Sequence, residues 1–394
     1  MTYPSIKLLP GRDRRFRAGS PWIYSNEIEM DAAARALAPG GLVRIMAPNA
    51  HLLGVAHFNP HSLIAARLLT RNKDATIDER FVRRRIGRAV ALRERLFAHP
   101  FYRLVHAEAD GLPGLVVDRL GDVVVIQPNT AGWERMIDLL VGAVDAELAP
   151  SCILIRGDAP VRALEGLADL VRIAKGELRT PLVIEENGLP FVVDPSAGQK
   201  TGWYFDQRDN RAFVRQLARG EAVLDLYCYA GGFALGAIAG GATRALGIDR
   251  SEAALEQARA SATLQGVTER VELRRGEVFA ELERLAAAKE RFGLVVADPP
   301  PFVKAKKDLA AGLKGYSKLA RQAAAVVAEP GFLCLACCSH NVPLAEFREA
   351  VWHGIKDAGR GGRILREAGA GPDHPLHPGL PESAYLKFLA FALD

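Results

Sequence analysis

Apolar positions along this 394-residue chain fall into three successive rhythms. Up to about residue 72 they come in short runs broken by Gly, Pro and Asn, at 6–9, 42–46, 52–58 and 63–69, which predicts a small β-rich module. From 78 to 97 the spacing turns helical. Val82, Ile86, Ala89, Val90, Leu96 and Phe97 take one side, and Arg83, Arg84, Arg88 and Arg95 lie largely on the other. That pattern predicts a linker helix whose basic side either meets phosphates or is simply solvated. Between 100 and 190, strands at 115–117, 123–126, 153–155 and 182–184 surround a helix over 133–148, a compact α+β arrangement. After Pro195 strands at 223–226, 245–248, 271–273, 294–297 and 332–337 alternate with helices at 233–239, 252–264, 278–287 and 316–327. Such alternation predicts a parallel sheet covered by helices on both faces. The chain therefore divides into expected domains at 1–75, 76–190 and 191–394.

Composition narrows the class. Hydrophobic residues make up 49% and charged residues 25%, an ordinary globular balance that excludes disordered and fibrous chains. No apolar run approaches the ~18 residues of a membrane helix, and the first residues carry neither the apolar stretch nor the cleavage site of a secretory signal. A cytoplasmic protein without membrane contact is expected. Five cysteines, with Cys337 and Cys338 adjacent, read as free thiols rather than a disulfide framework.

Charge is distributed unevenly. Residues 1–98 hold 17 Lys+Arg against 8 Asp+Glu, whereas the remainder holds 34 against 38. A basic front on a slightly acidic body suits a polyanionic partner, although a GC-rich genome produces the same excess of Arg and Ala.

The strongest chemical signals lie in the last third. The string from Val223 through Asp225, Tyr227, Tyr229 and Gly231 to Phe233 closes a strand and opens a helix, and Asp249 ends the next strand, followed by Arg250 and Ser251. An acid at that distance from a glycine turn suits ribose hydroxyls. Tyr227 and Tyr229 stand where a dinucleotide-binding turn has its earlier glycines, which disfavours a pyrophosphate. Further on, an apolar strand ends in Asp298-Pro-Pro-Pro-Phe302, a stiff turn able to orient a flat base. The basic stretch from Lys304 to Tyr316 after it is expected as a loop, either closing over a substrate or simply charged and solvated.

Cys334 and Cys337 form a C-x-x-C pair, but no second ligand pair follows, and in one strand their side chains point to opposite faces, so no metal site is expected. Cys338 falls at the strand's carboxyl end, where this fold collects reacting groups. A thiolate there suits pyrimidine chemistry: its addition at carbon-6 of cytosine makes carbon-5 nucleophilic enough to take a methyl group. The thiol's ordinary pKa of ~8.5 must be lowered for this, and a cationic sulfonium nearby is one means.

The Asp225-to-Glu277 arrangement resembles class I S-adenosylmethionine-dependent methyltransferases, and Asp298-Pro-Pro resembles those acting on nucleobases. Over nearly the whole chain the sequence is similar to bacterial 23S ribosomal RNA cytosine carbon-5 methyltransferases with an N-terminal PUA domain. The likeness is carried by Gly19-Ser-Pro-Trp22, Gln199-Lys200 through Asp206 to Arg208, the Asp225–Gly232 loop, Asp298-Pro-Pro, Cys338-Ser-His, Asp373-His374-Pro and Pro381-Glu382-Ser-Ala-Tyr385-Leu-Lys387.

The resemblance implies a β-rich PUA domain, a central α+β domain and a Rossmann-like α/β methyltransferase domain. It implies Cys338 as nucleophile with Asp298 beside it. It implies a cofactor pocket of Lys200, Tyr204, Asp206, Arg208, Asp225, Tyr227, Gly231, Asp249, Arg250, Ser251, Glu277 and Asp298. In that set Asp225 would lie by the methionine amino end, Asp249 by the ribose and Glu277 by the adenine amine. Glu277, Pro301 and Cys337 depart from the usual family residues. Implied partners are 23S rRNA or a large-subunit assembly intermediate, with a homodimer as a further possibility. Guanine N-methylation, which needs no thiol, and a non-catalytic RNA-binding assembly role are the competing readings.

Overall fold

The computed structural model describes residues 3–198 and 201–394 and divides into two compact units. One comprises the chain up to Arg179 together with Pro372–Ser383; the other comprises Thr180–Gly198, Gly202–Gly371 and Ala384–Asp394. Lys200 lies outside the described residues.

The first unit holds two five-stranded sheets. The N-terminal sheet has the order Ser5–Lys7, Gly41–Met46, Leu52–Phe58, Ala66–Thr70, Trp22–Ile23, in which only the first pair is parallel. The second runs Leu170–Gly176, Cys152–Gly157, Val123–Pro128, Leu115–Leu120, Phe101–His106. The helix Glu79–Leu96, capped by the Asp78 carboxylate accepting from Phe81 N at 2.9 Å, is no free linker. Its face of Phe81, Val82, Ile86 and Ala89 packs into one core with Val117, Ile126 and Leu140. Helix 133–148 is in fact two, Ala131–Arg135 and Ile137–Leu148, meeting at Met136.

Much of the basic excess is spent inside this unit. Arg93, fully buried, grips both Asp110 oxygens at 2.6 and 2.8 Å and donates to Asp373 O at 2.9 Å. Arg67 pairs with Glu108 and Glu165, and Arg71 donates to Phe16 O. Arg80, Arg84 and Arg88, four residues apart on the helix, stay exposed.

The second unit is built on a seven-stranded sheet: β1 (Ala222–Leu226), β2 (Arg244–Asp249), β3 (Val271–Arg275), β4 (Phe292–Ala297), β5 (Val327–Cys337), β6 (Gly362–Ala368) and β7 (Lys387–Leu393). Their spatial order is β3-β2-β1-β4-β5-β7-β6. The connecting helices are α1 (Arg208–Leu217), α2 (Gly232–Ala239), α3 (Glu252–Leu264), α4 (Val278–Ala287), α5 (Leu309–Ala324) and α6 (Leu344–Asp357). The sheet is parallel except for β7, antiparallel to both β5 and β6. The segment that joins β6 to β7 includes Pro372–Ser383 of the first unit, and the reversal of β7 is a consequence that periodicity does not carry.

Alternation along the buried strands divides the core. Leu224, Leu226, Val295, Leu335 and Phe391 join α4, α5 and α6, while Val223, Leu294, Val296, Ala336 and Phe388 join α1 and α2. The hairpin Leu182–Glu186/Leu189–Val193, placed largely in the central domain by the sequence, packs here instead. Val192 N donates to Ser261 Oγ of α3 at 2.9 Å, and Glu186 holds Arg211 of α1. The stretch expected as a basic loop becomes helical at Leu309, and Tyr316 is fully buried against Phe302 and Phe347. No helix among the described residues is long and apolar enough to cross a membrane.

His57 of the first unit makes the packing testable. Its ring stands edge-on to Trp133 at 5.0 Å, in space that a Cβ on Gly132 would occupy, 2.1 Å from Nδ1. Burial, with Arg67 beside it, pushes its pKa down to about 3. The folded protein thus holds His57 neutral while the unfolded chain protonates near ~6.5, so its stabilisation is complete above that pH and is lost as pH falls toward 3. Burial lowers His106 in the same direction. Urea unfolding between pH 6.5 and 5 should show stability falling with acidification, and His57→Gln should flatten that slope by an amount that approaches about 1.4 kcal/mol per pH unit at the acid end. An unchanged slope in the variant would mean that His57 takes up its proton without unfolding.

Candidate active site

The carboxyl ends of β1, β2 and β4 bring three carboxylates together. Asp225 lies within β1, fully buried; Asp249 is the last residue of β2; Asp298 follows β4. Asp225 accepts from Ala234 N of α2 at 2.9 Å through Oδ2, while its Oδ1 is buried without a partner. Burial first, then Asp298 and Asp249, pushes the Asp225 pKa up to about 8, against the pull of Ala234 N–H and Arg211. A ligand with a positive end would relieve this repulsion.

The loop between β1 and α2 is shaped by left-handed backbone. Tyr227, Tyr229 and Gly231 have φ of 62°, 49° and 78°, so the two tyrosines adopt the conformation that their sequence position reserves for glycine. For a non-glycine residue such a conformation costs of order 1–3 kcal/mol and persists only where its surroundings enforce it. Here Tyr229 N donates to Asp249 Oδ2 at 3.0 Å, Cys228 N to Ile248 O, and Tyr229 Oη to Gly202 O at 3.2 Å. Asp249 Oδ1 accepts from Ser251 N at 2.9 Å, and Ser251 Oγ caps α3 by accepting from Ala254 N. Asp249 therefore both builds the turn and keeps lone pairs for a ligand.

The remaining expected cofactor residues fall into two groups. Glu277, at the N-cap of α4, and Arg250 form an exposed pair at 3.3 Å; Tyr227 shares their surroundings, its pKa pushed up to about 12 by burial and Glu277. Before α1, Tyr204 stacks edge-on with Tyr229 at 5.3 Å, and Asp206 accepts from Tyr385 Oη at 2.6 Å. Burial and the acidic neighbours Tyr229, Asp206, Asp298 and Cys338 push the Tyr204 phenol up. Arg208 is buried and turned to Glu186, 3.7 Å away, over the ring of Phe205.

The thiols are sorted by strand geometry. Cys334 and Cys337 are fully buried on opposite faces of β5, as the alternation predicts, and Cys337 belongs to the core around Tyr316. Cys338, just past β5, is partly exposed, with Sγ 3.9 Å from Pro299 O in the proline turn. Ser339 Oγ donates to Val303 O at 2.7 Å, binding the two loops together.

Three polar residues of the site stand in stretches that carry the family likeness, yet the sequence assigned none of them a role. Gln207 Nε2 donates to Asp298 Oδ2 at 3.0 Å while its Oε1 accepts from Asn210 Nδ2. Tyr385 holds Asp206, and Lys387 of β7 donates to Ser339 O at 2.7 Å. Gln207 and Lys387 are nearly buried polar side chains, a signal that burial reveals and the linear pattern does not.

Comparison with known proteins agrees with this geometry. Residues 6–71 match the PUA-like domain family, and 170–348 match the S-adenosylmethionine-dependent methyltransferase family. The chain is 34% identical to a ribosomal RNA large subunit methyltransferase I of Pseudoalteromonas atlantica, covering 98% of both. It is 37% identical to the one from Aeromonas hydrophila over the same shares. A Streptococcus mutans chain assigned as an S-adenosylmethionine-dependent methyltransferase shares the fold with a TM-score of 0.83 at 18% identity, covering 99% of this chain and 100% of that one. The fold and the strand-end site define an S-adenosylmethionine-dependent methyltransferase carrying a PUA-like domain. The chain belongs to the ribosomal RNA large subunit methyltransferase I family.

The residues present fit the cofactor, whose sulfonium and ammonium groups are cationic. A partnerless buried oxygen on Asp225 and two further acids at neighbouring strand ends form an acceptor-rich cradle. Because binding a cation favours ionised Asp225, affinity for S-adenosylmethionine should rise with pH through about 8 and fall below it. Calorimetry at pH 7 in buffers of differing ionisation enthalpy should detect proton release, absent in Asp225→Asn. Equal proton release by that variant would assign the proton elsewhere.

Proposed function

We propose that this enzyme methylates carbon-5 of a cytidine in 23S ribosomal RNA, free or within a large-subunit assembly intermediate in the bacterial cytoplasm, with Cys338 as nucleophile. One observation carries the reading: of the two adjacent thiols, Cys338 is the one turned out of the core, 3.9 Å from the Pro299 carbonyl of the turn that follows β4. Guanine N-methylation would leave a thiol at that point without a task. The names of the curated relatives support the substrate class.

When bound, S-adenosylmethionine supplies a methyl group made electrophilic by its sulfonium. The Cys338 thiolate bonds to carbon-6 of the extruded base, and the displaced π electrons make carbon-5 the nucleophile toward that methyl. After transfer a base removes the carbon-5 proton, and the C–H electrons re-form the 5,6 double bond as the carbon–sulfur bond breaks and returns the thiolate. Asp298, oriented by Gln207, accepts from the exocyclic amine of cytosine and holds the ring in the plane of attack. Asp225, Asp249 and Glu277 take the cofactor's amino, ribose and adenine groups. Tyr204, Asp206, Arg208, Tyr227, Gly231, Arg250 and Ser251 complete or support that pocket, and Lys200 is assigned to it by resemblance. The PUA-like domain docks RNA.

Methylation of unmodified ribosomal RNA with labelled S-adenosylmethionine should place the label in 5-methylcytidine by mass spectrometry. Cys338→Ala should reduce turnover at least ~10³-fold with cofactor affinity retained, and Cys337→Ala should stay within about tenfold of wild type. Label in a methylguanosine that survives Cys338→Ala would sink the thiol chemistry.

A further inference from the structure

The site contains a buried charge that the chemistry above does not use. β7 pairs with β5 so that Lys387 lies opposite Cys337, one residue before the nucleophile. The Lys387 side chain is 7% exposed, and Nζ donates to the carbonyls of Ser339 at 2.7 Å and Tyr385 at 3.1 Å. No carboxylate lies within ion-pair distance of it among the described residues, whereas the other buried Lys and Arg side chains, Arg93, Arg156, Arg162, Arg208, Arg211 and Arg360, all have acids. Two neutral carbonyls compensate an ammonium poorly for the loss of water. Methionine would fill similar volume on this strand, flanked by Leu386 and Phe388, without that cost.

The cost is recovered if an anion forms beside it. Tyr204 before α1 and Tyr316 from α5 share the surroundings of Cys338, and Asp298, which also acts on Tyr204, precedes the Pro299 carbonyl that Cys338 meets; Cys337 precedes the thiol and the exposed His340 follows by two residues. The Asp298 carboxylate opposes a thiolate in these surroundings, whereas the two phenols, pushed up by burial, stay neutral. Lys387 works the other way: burial lowers its pKa, and the Cys337 and Cys338 thiols, when ionised, raise it. By reciprocity its charge favours ionised sulfur.

We propose that Lys387 is a positioning residue for Cys338: anchored on the Ser339 and Tyr385 carbonyls, its ammonium supplies the local positive charge that lets Cys338 release its proton to solvent, and it fixes the turn that carries the sulfur. This deepens the thiol reading and rests on it. It makes the nucleophile ready before the cofactor's sulfonium arrives.

The test is the pH dependence of Cys338 alkylation by iodoacetamide, read from its peptide by mass spectrometry on the full-length protein without cofactor. In Lys387→Met the inflection should move up by about one pH unit, slowing alkylation at pH 7 about tenfold, while Lys387→Arg stays near wild type. Lys387→Gln, which keeps an N–H donor for the carbonyls and removes the charge, should match the Met variant and replaces it if that variant does not fold. Turnover should fall with kcat while the KM for S-adenosylmethionine holds within about twofold. An unmoved inflection in folded Met or Gln variants would overturn the proposal. Full turnover by Cys338→Ala would overturn the thiol reading and Lys387's catalytic purpose with it, whereas the inflection reports only whether the charge acts on the sulfur.

Discussion

Three carboxylates crowd the carboxyl ends of β1, β2 and β4, and their mutual repulsion is the constraint around which the catalytic unit is arranged. The parallel sheet directs Asp225, Asp249 and Asp298 to one edge because each belongs to, or just follows, a strand that ends there. Each is restrained by a donor from a different element: Ala234 N from α2, Tyr229 N from the loop and Gln207 from the segment before α1. Those donors account for local features that would otherwise be liabilities, including two tyrosines with left-handed backbone and an amide side chain buried at 2% exposure. One oxygen of Asp225 remains without a donor, and a cationic cofactor is the partner that such a cluster accepts most readily.

On the far side of the same edge, strand alternation separates thiols that are adjacent in sequence. A buried strand sends successive side chains to opposite faces, so Cys337 enters the Tyr316 core while Cys338 emerges by the proline turn. The reversed strand β7 then delivers Lys387 to this point, as it could not do if it ran parallel and began at the other end of the sheet. The one antiparallel strand thus both joins β5 to the edge strand β6 and brings a buried charge to the turn that carries Cys338.

The first unit solves a different problem, the burial of many arginines. Arg93, Arg67 and Arg162 are compensated by carboxylates or carbonyls, so part of the N-terminal positive charge is structural and does not face solvent. Arg80, Arg84 and Arg88 lie on the outer side of their helix and remain exposed.

Periodicity alone determined the β-rich front, the 79–96 helix and the βα alternation after residue 222, because burial on one face or both imprints a period on the sequence. Motif spacing determined the Asp225, Asp249, Asp298 and Cys338 constellation, since strand ends collect reacting groups wherever the alternation holds. Only the tertiary structure decided that the 182–193 hairpin joins the catalytic unit, that residues 372–383 join the first, that β7 is reversed, and that Gln207 and Lys387 reach Asp298 and the Cys338 turn. Those facts depend on contacts between segments distant along the chain, and such contacts leave no local period to read.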